Sequence, residues 1–133
     1  MGNTRGMTLM ETMAAIAIFG IVLASILNLS ASSINTTKRA DFAYTAYNLA
    51  KNHLETLRSM PYSTLTSAAE TEVLLDDNGV ADVDGHFIRS TAVTTNYTGD
   101  ANLIQLIVSV DYIYRGTQAE SPTQLTAVVY QYA

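Results

Sequence analysis

A ten-residue run rich in aspartate is the densest group of metal-ligand side chains in the sequence. It reads DDNGVADVDG over residues 76–85. Ca²⁺ takes about six to eight oxygen ligands, and closely spaced carboxylates on a turn can supply several of them. The spacing does not fit an EF-hand, because no glutamate closes the loop. The run is therefore either a solvated turn or a calcium site with Asp76, Asn78, Asp82 and Asp84 as ligands.

The other reactive side chains form no catalytic pattern. The two histidines, His53 and His86, lie far apart in the sequence and neither has an evident carboxylate partner, which makes a poor acid–base or metal site. No serine lies in a Gly-x-Ser-x-Gly motif, and no Walker or Rossmann glycine pattern occurs. The absence of cysteine excludes disulfides, thiolate metal sites and a cysteine nucleophile. We interpret the chain as a non-enzyme.

One carboxylate lies inside a segment that is otherwise apolar. Glu11 is the only ionisable residue between Met7 and Leu29. A bilayer core about 30 Å thick needs roughly 20 apolar residues of helix, so this stretch is long enough to span it. A charge at the centre of such a helix costs on the order of 2.5–3.5 kcal/mol. A cleaved signal peptide and a plain single-pass anchor are two interpretations, but neither explains Glu11.

The apolar spacing predicts that this helix continues to Ser59. No proline or glycine interrupts residues 21–60, and Pro61 pushes the residue before it toward extended geometry. We predict one helix over 7–59, with a transmembrane segment at 7–29 and an amphipathic second half. The apolar stripe of that second half, at spacings of three and four, consists of Phe42, Ala46, Leu49, Ala50, Leu54 and Leu57.

Beyond Pro61 the apolar period falls to two, which predicts strands. The strands are predicted over Thr71–Leu75, Phe87–Tyr97, Ile104–Tyr114 and Leu125–Tyr132, separated by turn-rich segments. Short connections favour an antiparallel sheet, and the helix stripe is its natural cover. We therefore predict an α+β fold in which a long N-terminal helix packs on a small antiparallel sheet formed by a head domain over 60–133.

Tyrosines recur at alternating positions near the predicted strand ends. We expect them to form one sheet face that packs on the helix; the alternative is an aromatic contact surface between neighbouring subunits. These residues are Tyr112, Tyr114, Tyr130 and Tyr132.

The charge distribution argues against nucleic acid as a direct partner. The formal net charge is −5, and residues 59–133 carry nine acidic side chains against two arginines. An acidic surface repels phosphate backbones.

The start of the sequence resembles the N-terminus of type IV pilins and of type II secretion pseudopilins. The resemblance rests on Gly6-Met7-Thr8-Leu9-Met10-Glu11, the apolar run that follows and Gly20. Family members usually have phenylalanine where this chain has Met7. The resemblance implies a leader peptide over 1–6, which a prepilin peptidase cuts between Gly6 and Met7 on the cytoplasmic side. It also implies methylation of the new N-terminus at Met7.

The resemblance also implies a partner for Glu11. Cleavage creates an amine at Met7, and in a filament Glu11 of one subunit can meet the Met7 amine of its neighbour. The alternative is a glutamate that snorkels at the membrane interface. With Glu11 we group Thr8 and Gly20 as assembly residues. Small residues along the helix let like helices approach closely: Ala14, Ala15, Ala17, Gly20, Ala24 and Ser25.

Two features bear on the branch of the family. Asn28 stands where many major pilins have a proline, and the stretch 49–62 resembles the helix end of minor pilins and minor pseudopilins. We therefore predict a minor or priming subunit, with a major pilin as the alternative. The rival from another class is a membrane-tethered protein that does not polymerise and that binds calcium through the aspartate-rich run.

The resemblance further implies a location and a set of partners. The precursor is expected to span the inner membrane once, with its head outside the cytoplasm, and then to enter a pilus or pseudopilus. The expected partners are other pilin or pseudopilin subunits, the prepilin peptidase, the inner-membrane assembly platform, and membrane lipid before assembly.

Overall fold

The fold combines one long helix with a small antiparallel sheet, as predicted. A computed structural model describes residues 7–131, and the chain divides into two compact units, 1–38 and 39–133. We call residues 7–38 the N-terminal segment and residues 39–131 the sheet unit. The helices are α1 (Leu9–Ser59) and α2 (Tyr62–Leu65), and the strands are β1 (Glu70–Leu75), β2 (Phe87–Thr95), β3 (Leu103–Tyr114), β4 (Thr117–Gln118) and β5 (Thr123–Tyr130).

Strand β3 is the centre of the sheet. It pairs antiparallel with β2 along one side, from Phe87 opposite Tyr112 to Thr95 opposite Ile104. Along its other side it pairs with β5 and, near its end, with β4. Strand β1 pairs with β2 and forms the far edge, where a bulge shifts the register between Glu70 and Val73. Because β3 has a neighbour on both sides, its alternate residues form the middle of the core.

The core lies between the last third of α1 and the facing side of the sheet. The inward residues of β3 are fully buried, and these are Ile104, Leu106, Val108 and Val110. All six residues of the predicted helix stripe are buried or pack against this core. Full burial of one aliphatic side chain contributes roughly 1.5–3 kcal/mol relative to exposure. The stripe and the strand alternation therefore account for how α1 is held on the sheet.

An aromatic cluster continues the core toward one end of the sheet. The Phe42 ring lies 5.8 Å from the Tyr112 ring and 5.6 Å from the Tyr114 ring. The prediction that these two tyrosines pack on the helix is thus confirmed. For Tyr130 the prediction is wrong, because the register with β3 places Val129 on the helix side and turns Tyr130, half exposed, to the other face. Tyr132 lies outside the described residues.

Local backbone geometry explains where the elements differ from the prediction. Strand β2 ends at Thr95, two residues early, because Asn96 and Thr98 adopt left-handed backbone angles with φ of 54° and 57°. Strand β4 was not predicted. It arises from a two-residue hairpin turn in which Arg115 and Gly116 both have positive φ, 54° and 76°. Turns of this kind match the twist of the flanking strands.

Candidate assembly site in the N-terminal segment

Thr8 caps the first turn of α1. Its side-chain oxygen Oγ1 accepts a hydrogen bond from the backbone N–H of Glu11 at 3.3 Å, and its carbonyl accepts the N–H of Thr12 at 3.1 Å. A threonine followed three residues later by glutamate is the signature of a capping box at a helix start. The negative charge of Glu11 also suits the positive end of the helix dipole. The Thr-x-x-Glu spacing was visible in the sequence, yet the capping role was missed.

The carboxylate of Glu11 has no partner in the described part of the chain. Within residues 7–131, no ion pair and no side-chain hydrogen bond involves its carboxylate oxygens. Met7 is exposed, whereas Gly6 and the rest of the predicted leader lie outside the described residues. A carboxylate in an apolar helix without a local partner must be satisfied from elsewhere.

The apolar side chains of the N-terminal segment are exposed on every side of the helix. The large ones between Met7 and Leu29 are 44 to 80 % exposed. A helix that is apolar all round belongs in lipid or among other apolar helices. By length and composition, α1 is the one helix in the described part of the chain that could cross a membrane, and its apolar window has no buried residue. That exposure argues against a core helix of a soluble protein.

Two hydroxyl side chains inside this span bond to carbonyl groups of the same helix. Thr12 Oγ1 donates to the Thr8 carbonyl at 3.0 Å, and Ser25 Oγ donates to the Ile21 carbonyl at 2.9 Å. A hydroxyl satisfied in this way is compatible with hydrocarbon surroundings.

Gly20 borders open space among the residues that the structure describes. A Cβ built at this position meets no atom within 4 Å. Glycine in a helix interior is about 1 kcal/mol less favourable than alanine. The missing side chain leaves room for another helix to approach closely at this position.

The comparison with known protein families identifies this region. Residues 1–27 match the family model described as the prokaryotic N-terminal methylation motif. The chain carries the prepilin signature of type IV pilins and pseudopilins. No curated protein and no solved structure matches the chain. The match covers the predicted leader over 1–6 and most of the apolar stretch over 7–29, and it does not extend to the sheet unit.

The prepilin signature supports a pilin-like subunit of a pilus or pseudopilus, with a structural role. It implies other pilin subunits and the prepilin peptidase as partners. Together with the apolar helix, it fits a single-pass membrane-anchored protein that later enters a filament.

In the sheet unit, the aspartate-rich run forms a tight loop between β1 and β2. We call residues 76–85 the aspartate loop. Asp76 Oδ1 accepts the backbone N–H groups of Asn78 at 2.9 Å and Val80 at 2.8 Å. The bond from Val80 is the main reason that the pKa of Asp76 lies below its usual value, with further help from Asn78 and Gly79. Asp76 thus uses its carboxylate to shape the loop.

The four predicted calcium ligands line one shallow depression, but they do not form a metal-binding cluster. Asp76, Asn78, Asp82 and Asp84 border a volume of about 270 Å³. Among residues 7–131, no group of three or more histidine, aspartate or glutamate side chains is arranged to hold a metal ion. Asp82 Oδ1 already accepts the N–H of Asp84 at 3.0 Å. The calcium site therefore stays a prediction from the sequence.

A polar cluster that the sequence did not reveal links α1 to the sheet. Arg89 on β2 donates two hydrogen bonds to the Glu70 carboxylate, at 2.8 and 3.3 Å. His53 Nε2 lies 3.1 Å from Thr91 Oγ1 and 3.6 Å from the Glu70 carboxylate. Burial, reinforced by the Arg89 charge and opposed by Glu70, lowers the pKa of His53. The cluster is a structural tether, and its members are too far apart in sequence to have been grouped.

Proposed function

We propose that this chain is a structural subunit of a type IV pilus or a related pseudopilus, processed by prepilin peptidase and assembled through α1. In this proposal the leader covers residues 1–6, the cut falls between Gly6 and Met7, and Met7 becomes N-methylated. The observation that carries the proposal is the methylation motif over residues 1–27, which from Leu9 onward lies on a helix that exposes apolar side chains on every side.

Glu11 sets the register of assembly in this proposal. Cleavage would create an ammonium group at Met7, and the Glu11 carboxylate, which lacks a partner within residues 7–131, is available to a neighbouring subunit. Removing one partner of a buried ion pair typically costs about 3–5 kcal/mol, so a misaligned subunit would be penalised. Thr8 supports the arrangement indirectly, because its cap holds the backbone of Glu11 in the first turn.

Close helix packing supplies the rest of the assembly energy. Gly20 and the alanines around it leave room for a neighbouring helix, since no atom of the described residues lies within 4 Å of a Cβ built at Gly20. Between apolar helices in a membrane-like environment, van der Waals contact at such small residues is a principal source of association.

The proposed topology follows from the position of the span. The precursor crosses the inner membrane once through residues 7–29, with its leader in the cytoplasm and the sheet unit outside. Before assembly the span is surrounded by lipid, and the inner-membrane assembly platform then transfers the subunit to the filament. The acidic residues of the sheet unit are consistent with an aqueous location.

Within the family we favour a minor or priming subunit, with a major subunit as the alternative. Helix α1 is continuous through Asn28, where many major pilins have a helix-distorting proline. The copy number of the chain in sheared filaments, measured by quantitative mass spectrometry, separates the two roles.

Mass spectrometry of the mature N-terminus tests the proposal itself. We expect the chain purified from its native membrane to begin at an N-methylated Met7, and cells that lack prepilin peptidase to accumulate a chain that still carries residues 1–6. If the chain keeps residues 1–6 in cells with an active peptidase, it is a plain membrane anchor and the proposal is wrong.

A further inference from the structure

A cleft lined by Arg39 lies where β3 turns into β4, and a second cation, Arg115, lies beside it on the Tyr114 ring. The cleft has a volume of about 340 Å³ and is lined by Arg39, Tyr112, Tyr114 and residues 117–121. The guanidinium carbons of Arg39 and Arg115 lie 6.0 and 5.4 Å from the centre of the Tyr114 ring. Each cation is attracted to the aromatic ring, but the arrangement also places two like charges near each other. We call this surface the Arg–Tyr cleft.

The positive charge of the Arg–Tyr cleft is not neutralised by an ion pair in the described part of the chain. Arg39 and Arg115 are exposed, and neither takes part in an ion pair within residues 7–131. Glu120 also lines the cleft and offsets part of the charge. The other arginine of the sheet, Arg89, is held by Glu70. The cleft thus suits a ligand with more than one carboxylate.

The aspartate loop provides such a ligand on the same chain, at a different place on the sheet unit. The loop joins β1 to β2, whereas the cleft lies beside β3 and β4, which follow β2 in the strand order β1-β2-β3-β4. Both surfaces are at the same end of the sheet, because Phe87 at the start of β2 pairs with Tyr112 near the end of β3. Opposite charges therefore occupy two separate patches at one end of the sheet.

The loop also carries an apolar side chain between two of its acids. Val83 is 87 % exposed, and its neighbours Asp82 and Asp84 are exposed as well. The loop has no cation from residue 76 to residue 85. Val83 flanked by two carboxylates matches a cleft in which tyrosine rings lie beside two guanidinium groups.

We propose that the aspartate loop of one copy docks into the Arg–Tyr cleft of an adjacent copy of this chain. The inference rests on the proposed function, because a filament is what places copies side by side. Asp82 and Asp84 face Arg39 and Arg115 in this contact, and Val83 packs on the tyrosine rings. A second copy is the occupant because both complementary surfaces belong to this chain.

The geometry of the two surfaces suits a filament. They are two different patches of the unit, so the contact is heterologous, and heterologous contacts repeat into open helical assemblies unless the rotation closes a ring. The contact requires at least two neighbouring copies. A major subunit meets that requirement, and so does a minor subunit that occurs in short runs.

Cross-linking between copies tests the contact, and the chain has no cysteine to interfere. One full-length version carries Thr117→Cys in the cleft, and a second carries Val83→Cys on the loop. We expect filaments containing both versions to give a covalent dimer with a short bis-maleimide, and neither version alone to do so. As a matched control, Thr66→Cys, an exposed position on neither surface, replaces Thr117→Cys and gives no dimer.

Charge reversal tests the chemistry of the contact. Arg39→Glu with Arg115→Glu in the cleft copy should lower the dimer yield at least about ten-fold, because like charges are then juxtaposed. Asp82→Arg with Asp84→Arg in the loop copy should restore it. Arg39→Lys with Arg115→Lys retains the charge and should retain most of the yield. Thermal unfolding of each variant confirms that the sheet unit stays folded.

Each yield is measured on chains recovered from sheared filaments, which separates the two proposals. If no version enters filaments, the proposed function is wrong. If the chains are incorporated but give no dimer, give dimers only with a different pilin, or are insensitive to charge reversal, the docking contact is wrong and the filament role stands.

Discussion

The N-terminal segment and the sheet unit are both rich in apolar residues, but only the sheet unit buries them within the chain. Leu57 and Ile104 are 1 % and 0 % exposed, whereas Ile16 and Leu27 are 68 % and 70 % exposed. Apolar area removed from water contributes roughly 25 cal/mol per Å² wherever the removal takes place. In the sheet unit that contribution stabilises the fold of one chain. In the N-terminal segment it becomes available only through lipid or neighbouring helices, so it stabilises insertion and assembly.

The largest expected effect is on filament incorporation, and it leaves the stability of the sheet unit unchanged. Glu11→Ala removes the proposed partner of a neighbour's Met7 amine, and we expect incorporation into sheared filaments to fall at least about ten-fold, since an unpaired buried charge costs about 3–5 kcal/mol. The thermal unfolding of the sheet unit should not change. Immunoblots of filament and membrane fractions measure the first quantity, and calorimetry of the detergent-solubilised chain measures the second.

Two further variants sharpen that test. Glu11→Gln keeps the size of the side chain and removes its charge, so it should fail as Glu11→Ala does. Thr8→Ala removes only the cap, which is worth about 1 kcal/mol at a helix start, and should reduce incorporation less. Normal incorporation of Glu11→Gln would rule out a charge-based register.

A matched pair of truncations tests the comparison from the other direction. Leu57→Ala deletes a fully buried side chain and should lower the free energy of unfolding of the sheet unit by about 2–5 kcal/mol. Ile18→Ala deletes an exposed side chain of the N-terminal segment and should change it by less than about 0.5 kcal/mol. Urea unfolding monitored by tyrosine fluorescence measures both changes, because the chain has eight tyrosines and no tryptophan. Equal losses from both truncations would show that the segment is part of the same folding unit.

The sequence predicted the elements whose period repeats over several turns or pairs. The helix stripe from Phe42 to Leu57 and the alternation of β3 each contain enough apolar positions to fix a face, and the structure buries both on a common core. Tyr130 shows the limit of this method. Alternation within a strand fixes which residues share a face, but only the register with β3 decides which face of β5 meets the helix.

The candidate site was predicted by a different kind of signal. Glu11 is conspicuous because a charge is unfavourable in an apolar, membrane-length segment, and Gly20 because glycine is unfavourable inside a helix. The sequence marks both residues even though their proposed partners lie on another chain. The tether of His53, Glu70 and Arg89 could not be predicted. Glu70 is 17 residues from His53 and 19 from Arg89, and the contacts depend on how α1 crosses the sheet. The Arg–Tyr cleft likewise depends on the hairpin turn at Arg115.

The smallest expected effect concerns the tether of His53, Glu70 and Arg89. It is a dependence of the stability of the sheet unit on pH. Because burial lowers the pKa of His53 below 6.5, the unfolded chain binds a proton more readily than the folded chain as the pH falls through 6.5. Stability should therefore be highest above that pH and decrease between about pH 7 and pH 5, and His53→Gln should flatten this decrease. Asp76 does not contribute to this decrease, since its lowered pKa affects stability only at acid pH, below about pH 3.8. Unfolding midpoints measured across this range decide the matter: if His53→Gln retains the full slope, proton uptake by His53 is not its cause.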